Sequence, residues 1–182
     1  MKRIILGDSS LELTESMNDN IVKTVPFFID IDDKQYKDDG TINQKEFLAS
    51  MKSSNNTPQT AAPSPNSFYQ AMKEADEVFV VTISSKLSTT YNNALIAADM
   101  IKEEKPEVKI HVFDSKSAVS GETAIAIKLG ELISNDTDFD RIVKETEGFI
   151  KDMNTFFVLE DLSNLIKNGR MSKLSGALAN AL

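Results

Sequence analysis

Carboxylate and hydroxyl side chains stand directly after two apolar, strand-like segments. The sequence "GDSS" places Asp8 and Ser9 after the first segment, and "FDSKS" places Asp114 and Ser115 after a later one. Such groups bind polar ligands through hydrogen bonds, and a pair of aspartates is a conceivable site for a hard cation. Further carboxylates with the spacing of metal ligands are missing around them, so we predict no metal site.

A third group of hydroxyls opens a regular helix pattern in "SSKLSTTYNNAL". Ser88 and Thr89 precede apolar residues at helical spacing, where a hydroxyl satisfies free backbone N–H groups of the first turn. A helix start also carries positive dipole character and attracts anions. On position alone, a helix cap at Ser88 is the simpler interpretation. A phosphate loop of the Walker type is not predicted, because its glycines and its Lys-Ser/Thr pair are absent.

A stiff, uncharged stretch, "TPQTAAPSP", lies between two helix-like segments in a chain whose residues are 26% charged. Three prolines restrict its backbone, and Thr60 offers a hydroxyl beside small neighbours such as Ala61. Ser64 and Pro65 at its end are a typical N-cap and first helical residue. The stretch therefore predicts a rigid loop that presents the Thr60 hydroxyl.

The chain alternates strand-like and helix-like segments. The apolar run "EVFVVTI" predicts a strand buried on both faces, and the recurrence of Ala94, Ala98 and Ile101 predicts a helix. The alternation predicts an α/β fold with a mostly parallel, doubly wound sheet and helices on both faces. Ligands of such sheets bind beyond the carboxyl ends of the strands. Other predicted strands are "RIILGDSS", "VKTVPFFIDID", "VKIHVFDS" and "NTFFVLED".

Composition excludes several classes of protein. The 182 residues include 20 basic and 28 acidic ones, a net charge of −8 without a basic stripe, so no nucleic-acid partner is predicted. Cysteine is absent, which rules out disulfides and thiolate metal sites, and the single histidine, His111, lies in a strand pattern where a structural role is simpler. No apolar run is long enough for a membrane span or a signal peptide, so we expect a cytoplasmic protein without stable membrane insertion.

Two functional interpretations remain open from these residues. Hydroxyls beside a helix start suit an anionic head group. Arg170, after the turn "NG", suits a carboxylate or phosphate, unless it only caps the preceding helix. The alternative is an enzyme for small phosphorylated substrates or phosphoryl transfer that uses the strand-end Asp and Ser residues. The absence of a phosphate-binding lysine motif favours a binding protein over an enzyme.

Five motifs in the same order resemble the DegV family of bacterial fatty-acid-binding proteins, along the whole chain. They are "GDSS", "PQTAAPSP", "ISSKLSTTYNNA", "VFDSKSAVSG" and "LIKNGRMSK". The resemblance implies that a fatty-acid carboxylate is bound by Thr60, Ser88 and Thr89. It implies supporting positions at Asp8, Ser9, Ala61, Asp114, Ser115 and Arg170.

The same resemblance implies a function and a partner. Proteins of this family present a bound long-chain fatty acid to the catalytic subunit of a fatty acid kinase, which phosphorylates the carboxylate to an acyl phosphate. We therefore expect a lipid-binding subunit without catalysis of its own, with a fatty acid as ligand and no cofactor.

This sequence departs from the family pattern at three positions. Thr89 stands where glycine is usual, Asn168 replaces the first glycine before Arg170, and Ala61 replaces a common serine. The first change predicts a tighter entry into the helix that follows Ser88.

Members of the family continue into a second domain, which supplies a histidine near the ligand carboxylate. His111 does not correspond to that histidine. We therefore expect a truncated chain with a first domain over residues 1–158 and the beginning of a second α/β domain over residues 159–182.

Overall fold

A computed structural model describes residues 1–15, 17, 21–156, 158, 166, 169 and 170 of the chain. The strands are β1 (Arg3–Asp8), β2 (Val22–Val25), β3 (Phe28–Ile31), β4 (Lys34–Lys37), β5 (Gln59–Ala61), β6 (Glu77–Thr82) and β7 (Lys109–Asp114). The helices are α1 (Gln44–Ser53), α2 (Pro65–Met72), α3 (Thr90–Glu104), α4 (Ser120–Ser134) and α5 (Phe139–Asp152). The chain divides into two compact units. Unit 1 comprises Met1–Phe27 and Ala62–Thr155, and unit 2 comprises Phe28–Ala61 and Phe156–Leu182.

Unit 1 is a parallel sheet with helices on both faces. Its strands lie in the order β2-β1-β6-β7, and every neighbouring pair is parallel. Helices α2 and α3 share one apolar core with the sheet, and α4 and α5 share the other. The predicted α/β class with a mostly parallel, doubly wound sheet is confirmed.

Alternate residues of the central strands contribute to the two apolar cores. Ile4 of β1 and Val78 of β6 pack towards α2 and α3, whereas Ile5 and Phe79 belong to the core under α4 and α5. Phe79 stacks on Phe139 of α5 with ring centroids 4.8 Å apart. Burial on both faces explains why these strands read as continuous apolar runs rather than alternating ones.

The start of α2 follows the sequence prediction. Ser64 is the N-cap, its Oγ accepts from the backbone N–H of Ser67 at 3.1 Å, and Pro65 is the first helical residue. Proline is suited to this position because its missing N–H has no partner within the helix there.

Unit 2 contains a small antiparallel sheet in the order β4-β3-β5, together with α1. A two-residue turn, Asp32–Asp33, joins β3 to β4, and Asp32 adopts a positive φ of 52°. Tyr36 of β4 packs edge-on against Phe47 of α1 at 5.1 Å, and its hydroxyl donates to Ser50 Oγ at 2.9 Å. This sheet was not part of the sequence prediction.

Two predicted strands differ from the structure. The segment "VKTVPFFIDID" is divided at Pro26 between β2, in the parallel sheet, and β3, in the antiparallel one, because proline has no N–H to continue the ladder. The predicted strand "NTFFVLED" is also wrong where it can be compared, since Asn154–Phe156 and Val158 lie outside any strand. Its other residues lie outside the described residues.

Most of the predicted C-terminal helix, turn and second helix lies outside the described residues. Ile166, Gly169 and Arg170 are described, and Gly169 has a positive φ of 70° in a turn, as glycine permits. The predicted domain boundary after residue 158 therefore stays a prediction. Within the described ranges, no helix is both long and apolar enough to cross a bilayer.

We predict that Phe79→Ala destabilises unit 1 by about 3–5 kcal/mol, because it leaves a cavity against Phe139 in a packed core. The Phe79 side chain is 0% exposed, whereas Phe156 is 92% exposed. Phe156→Ala is therefore the matched control, with an expected change below about 0.5 kcal/mol. Urea unfolding followed by circular dichroism measures both, and equal losses for the two variants would contradict the packing described here.

Candidate functional site

The turn after β1 is held by the buried carboxylate of Asp8. Asp8 Oδ1 accepts from the backbone N–H of Ser10 at 3.0 Å, and Asp8 Oδ2 accepts from the backbone N–H of Ile83 at 2.8 Å. Ser9 Oγ accepts from the backbone N–H of Phe27 at 3.0 Å. A buried carboxylate requires such donors, because an unpaired one is costly. Asp8 thereby joins the carboxyl ends of β1 and β6.

Glu122 of α4 is a second buried carboxyl group beside this turn. The Ser10 hydroxyl lies 2.6 Å from Asp8 Oδ1 and 2.5 Å from Glu122 Oε1, and so links the two carboxyl groups. Burial first, and the charge of Asp8 second, raise the pKa of Glu122 from 4.5 to about 9. Burial also raises the pKa of Asp8. Glu122 is therefore protonated at neutral pH.

The second Asp-Ser pair holds the segment Ile83–Thr89, called here the β6–α3 loop, from the side of β7. Asp114 Oδ1 accepts from the Ser85 N–H at 3.0 Å, and Asp114 Oδ2 accepts from the Ser85 hydroxyl at 2.5 Å. Ser115 is buried, and its hydroxyl donates to the carbonyl of Ser117 at 3.1 Å. Because β1 and β7 flank β6, Asp8 and Asp114 hold this loop from two sides instead of meeting in one pocket.

The β6–α3 loop ends at the candidate hydroxyls Ser88 and Thr89. The Ser88 N–H donates to the carbonyl of Ser84 at 3.2 Å, and Ser88 Oγ accepts from the Thr90 N–H at 3.3 Å. The predicted N-cap at Ser88 is one residue too early. Thr89 is the N-cap of α3, and its side chain makes no cap bond. The helix begins after Ser88 because the Ser88 N–H closes a turn with the Ser84 carbonyl, which leaves Ser88 outside the helix. Ser88 still serves a backbone N–H of the first turn.

The end of the proline-rich stretch is fixed by α3 as well as by α2. Asn93 Nδ2, in the first turn of α3, donates to the carbonyl of Pro63 at 2.9 Å. Ser64, the next residue, caps α2. The stretch from Ala62 to Pro65 is therefore attached to both helices that cover this face of the sheet.

Unit 2 brings Thr60 and Arg170 into direct contact. Arg170 Nη2 donates to Thr60 Oγ1 at 2.9 Å. Thr60 lies in β5 opposite Ile29 of β3, and Ala61 is the last residue of β5. The predicted loop is therefore wrong at this point, since an exposed three-residue edge strand lacks the apolar alternation by which strands are recognised.

His111 lies apart from these groups, in β7. Its Nε2 is 3.0 Å from Glu147 Oε1 of α5, and its ring packs on Phe113 with centroids 4.4 Å apart. These contacts favour the structural role. Among the described residues, no three or more His, Cys, Asp or Glu side chains are grouped as ligands for a metal ion.

An open cavity of about 410 Å³ lies in unit 1 beside the second half of α4. Its walls include Met17 and Ile21 before β2 and Ala126, Ile127 and Gly130 of α4. The candidate head-group residues are not among its lining residues.

Sequence reasoning missed Glu122. The residue is third in α4, where a glutamate side chain reaches back to the N-cap, and its Oε1 accepts from the Val119 N–H at 3.1 Å. A glutamate three positions after a Ser or Thr is the usual signal. Here the N-cap is Val119, so this signal is absent from the sequence. The remaining signal was an acidic residue directly before the apolar run "TAIAI".

These elements define a doubly wound α/β protein whose strand-end loops carry hydroxyls held in place by buried carboxyl groups. The chain belongs to the DegV family: the family profile, described as "Uncharacterised protein, DegV family", matches residues 2–182. A DegV domain-containing protein of Streptococcus gordonii is 36% identical over 177 residues, which are 96% of this chain and 63% of that protein. This chain therefore spans less than two thirds of that relative's length.

Solved structures show the same fold. A DegV family protein of Ruminococcus gnavus, with vaccenic acid, has a TM-score of 0.90 at 36% identity and covers 94% of this chain and 62% of its own. The fatty acid kinase B3 protein of Streptococcus pneumoniae, loaded with linoleic acid, has a TM-score of 0.92 at 31% identity, over 97% and 64%. A protein of Eubacterium eligens, loaded with heptadecanoic acid, has a TM-score of 0.90 at 30% identity, over 99% and 65%.

We predict that Glu122→Gln weakens the pH dependence of stability. Because the pKa of Glu122 is raised on folding, from 4.5 to about 9, its contribution is fully present below about pH 4.5 and is lost as the pH rises through about 9. The raised pKa of Asp8 acts in the same direction. Glutamine keeps a donor and an acceptor at this position but does not titrate, so its unfolding free energy should fall less between acidic and alkaline pH.

Urea unfolding at about pH 5, 7 and 9 measures this difference. Glu131→Gln, an exposed position on the same helix, is the control and should follow the unmodified chain. Parallel curves for Glu122→Gln and the unmodified chain would contradict the assignment of a proton to Glu122.

Proposed function

We propose that this chain binds a long-chain fatty acid and presents it to a kinase, which phosphorylates the carboxylate to an acyl phosphate. The observation that carries the proposal is the bound fatty acid in each of three solved relatives with TM-scores of 0.90–0.92. The description of the S. pneumoniae relative as a fatty acid kinase B3 protein supports a kinase as partner. These relatives are longer than this chain, so the proposal covers the function in which the chain takes part.

The head group would be met by uncharged donors. We propose Thr60, Ser88 and Thr89 as the carboxylate-binding residues, with backbone N–H groups at the start of α3 as further donors. The contact with Arg170 supports the assignment of Thr60. Because Thr60 Oγ1 accepts from the guanidinium at 2.9 Å, its own hydrogen is left for another acceptor, and the cation polarises that O–H bond.

The supporting residues would act on these donors rather than on the ligand. Asp8 and Asp114 bond to the β6–α3 loop, which carries Ser88, and their contacts with Ile83 and Ser85 fix its course. Ser9 bonds to the N–H of Phe27. Ala61 would contribute by its small size, which leaves room beside Thr60. Ser115 would contribute through the turn after β7.

The acyl chain would supply most of the affinity. Each buried CH₂ contributes roughly 0.8 kcal/mol, so a chain of about fourteen contributes on the order of 10 kcal/mol before ordering costs. Prolines at positions 58, 63 and 65 restrict the backbone next to Thr60, which reduces the entropy lost on binding. The ligand is then held mainly by its tail, and its head can be transferred to a second protein without breaking a tight ion pair.

We propose no catalytic role for the chain itself. The alternative, a phosphoryl-transfer enzyme, would need the strand-end aspartates as acids, bases or metal ligands. The bonds that Asp8 and Asp114 make to the β6–α3 loop support a positioning role for them instead. We further propose that residues 1–158 form the first domain of the protein and that residues 159–182 begin the second. A cytoplasmic location stays a prediction.

The function is tested by purifying the protein, extracting it under mild denaturation and analysing the extract by mass spectrometry. We expect a long-chain fatty acid in stoichiometric amount, and formation of acyl phosphate when a fatty acid kinase catalytic subunit and ATP are added. If the purified protein carries no acyl chain and takes none up from added oleate, the proposed function is wrong.

We predict that Thr60→Val weakens fatty-acid binding by about 1–3 kcal/mol, because the carboxylate loses a donor and the Arg170 guanidinium loses the bond to the Thr60 hydroxyl. Thr57→Val is the matched control, since the contact recorded for Thr57 uses only its backbone carbonyl. Displacement of a fluorescent fatty acid by oleate measures both affinities. An equal effect of the two substitutions, or none for Thr60→Val, would remove Thr60 from the head-group site.

A further inference from the structure

We infer that Glu122 is a positioning residue for the β6–α3 loop: its protonated carboxyl group holds the turn Asp8–Ser10, and that turn holds the loop that carries Ser88. All the contacts involved lie within unit 1. Where it concerns fatty-acid binding, the inference rests on the proposed function.

The turn after β1 is attached to the start of α4. The Ser10 hydroxyl lies 2.5 Å from Glu122 Oε1. Thr123, the next residue of α4, accepts from the Glu12 N–H at 3.2 Å and donates to the Glu12 carbonyl at 3.0 Å. The first turn of α4 therefore hydrogen-bonds to the chain after β1 through two successive residues. Glu122 makes the contact that lies nearer to the end of β1.

The Ser10 hydroxyl contacts two carboxyl groups, at 2.6 Å on Asp8 and 2.5 Å on Glu122, but it has a single hydrogen to donate. One of these contacts consequently requires a proton from a carboxyl group. Glu122 Oε2 is buried and meets no donor among the described residues, whereas Asp8 accepts from two backbone N–H groups. The extra proton therefore belongs to Glu122.

The turn after β1 also contacts the β6–α3 loop. Asp8 Oδ2 accepts from the Ile83 N–H at 2.8 Å, at the first residue of the β6–α3 loop. If Glu122 loses its proton, two carboxylates and one hydroxyl remain in a buried space, and their repulsion moves the Asp8–Ser10 turn. The bond from Asp114 to Ser85 remains, so the loop is displaced at Ile83 rather than released as a whole.

The start of α4 depends on the same side chain. Val119 has φ 51° and ψ −107°, an unfavourable conformation for a β-branched residue, and its N–H donates to Glu122 Oε1 at 3.1 Å. Removing the side chain altogether would leave this strained residue without its partner. Glu122→Gln is therefore the informative substitution, because its side chain has nearly the same volume, keeps a carbonyl oxygen that accepts from the Val119 N–H, and carries no titratable proton.

The charged groups around Glu122 allow its titration to be distinguished from the titration of other groups. On β1, Asp8 is the charged group that acts on it, and the elements β6 and α5, which pack against α4, bring no further charge that shifts its pKa among the described residues. Glu12, after β1, meets α4 through its backbone. Ionisation of the fatty acid itself affects every variant alike, so a difference in pH dependence between Glu122→Gln and the unmodified chain originates in the protein.

The test combines two readouts on the complete 182-residue chain. The Ile83 amide proton is followed by ¹⁵N-edited NMR from about pH 6 to 10, and the affinity for cis-parinaric acid is measured over the same range. In the unmodified chain we expect the Ile83 signal to shift with a midpoint near pH 9 and the affinity to fall at least about fivefold between pH 7 and 10. In Glu122→Gln we expect a constant Ile83 signal and an affinity that changes less than about twofold. Glu131→Gln should behave as the unmodified chain.

The outcomes separate the inference from the proposed function. If Glu122→Gln and the unmodified chain give the same Ile83 titration, the inference is overturned, whatever the chain binds. If the Ile83 signals differ as expected but no variant binds the fatty acid, the positioning role of Glu122 stands and the proposed function fails. If the Ile83 signals differ but the two affinity profiles coincide, Glu122 positions the loop without affecting the ligand, which overturns the part of the inference that concerns binding.

Discussion

The strand edge of unit 1 depends on the buried carboxylate of Asp8. A buried charge is stable only if its oxygens are fully hydrogen-bonded, and Asp8 meets this requirement with donors from two different segments, its own turn and the β6–α3 loop. The hydrogen bonds that satisfy the Asp8 carboxylate therefore also hold the β6–α3 loop in place. Glu122 extends the same network into α4, and Asp114 repeats it from the other side of β6. The Ser88 hydroxyl belongs to a loop that is held from both neighbouring strands.

Hydroxyl groups rather than charged side chains dominate the candidate head-group residues of both units. In unit 2, Arg170 is the one described cation next to these residues. Its guanidinium donates to Thr60 Oγ1 and thereby polarises that hydroxyl group. In unit 1 the carboxylates are engaged with backbone N–H groups of the β6–α3 loop. This division suits the proposed transfer of the ligand to a second protein, because hydroxyl donors contribute less to head-group affinity than a bidentate ion pair.

Burial decided which parts of the fold could be predicted from sequence. The strand in "EVFVVTI" is covered on both faces and is therefore a continuous apolar run, and Ser64 with Pro65 is a local cap that needs no tertiary information. The small antiparallel sheet escaped prediction because β4 and β5 are short and largely exposed, and β3 was predicted only as part of a longer strand. The contacts of Asp8 and Glu122 join residues 112 or more positions from each other through Ser10. No local pattern specifies such contacts, although the sequence did place Asp8 and Asp114 at the carboxyl ends of parallel strands, where β1 and β7 end.

Carbon-13 NMR of oleate labelled at its carboxyl carbon, titrated with the protein, tests the central claim that fixed hydroxyls receive the acidic end of a lipid. The account predicts a protein-bound carboxylate resonance, separate from that of free oleate, whose chemical shift changes in Ser88→Ala and in Thr60→Val but not in Thr57→Val. The absence of a bound resonance, or a bound resonance that none of these substitutions moves, would contradict it.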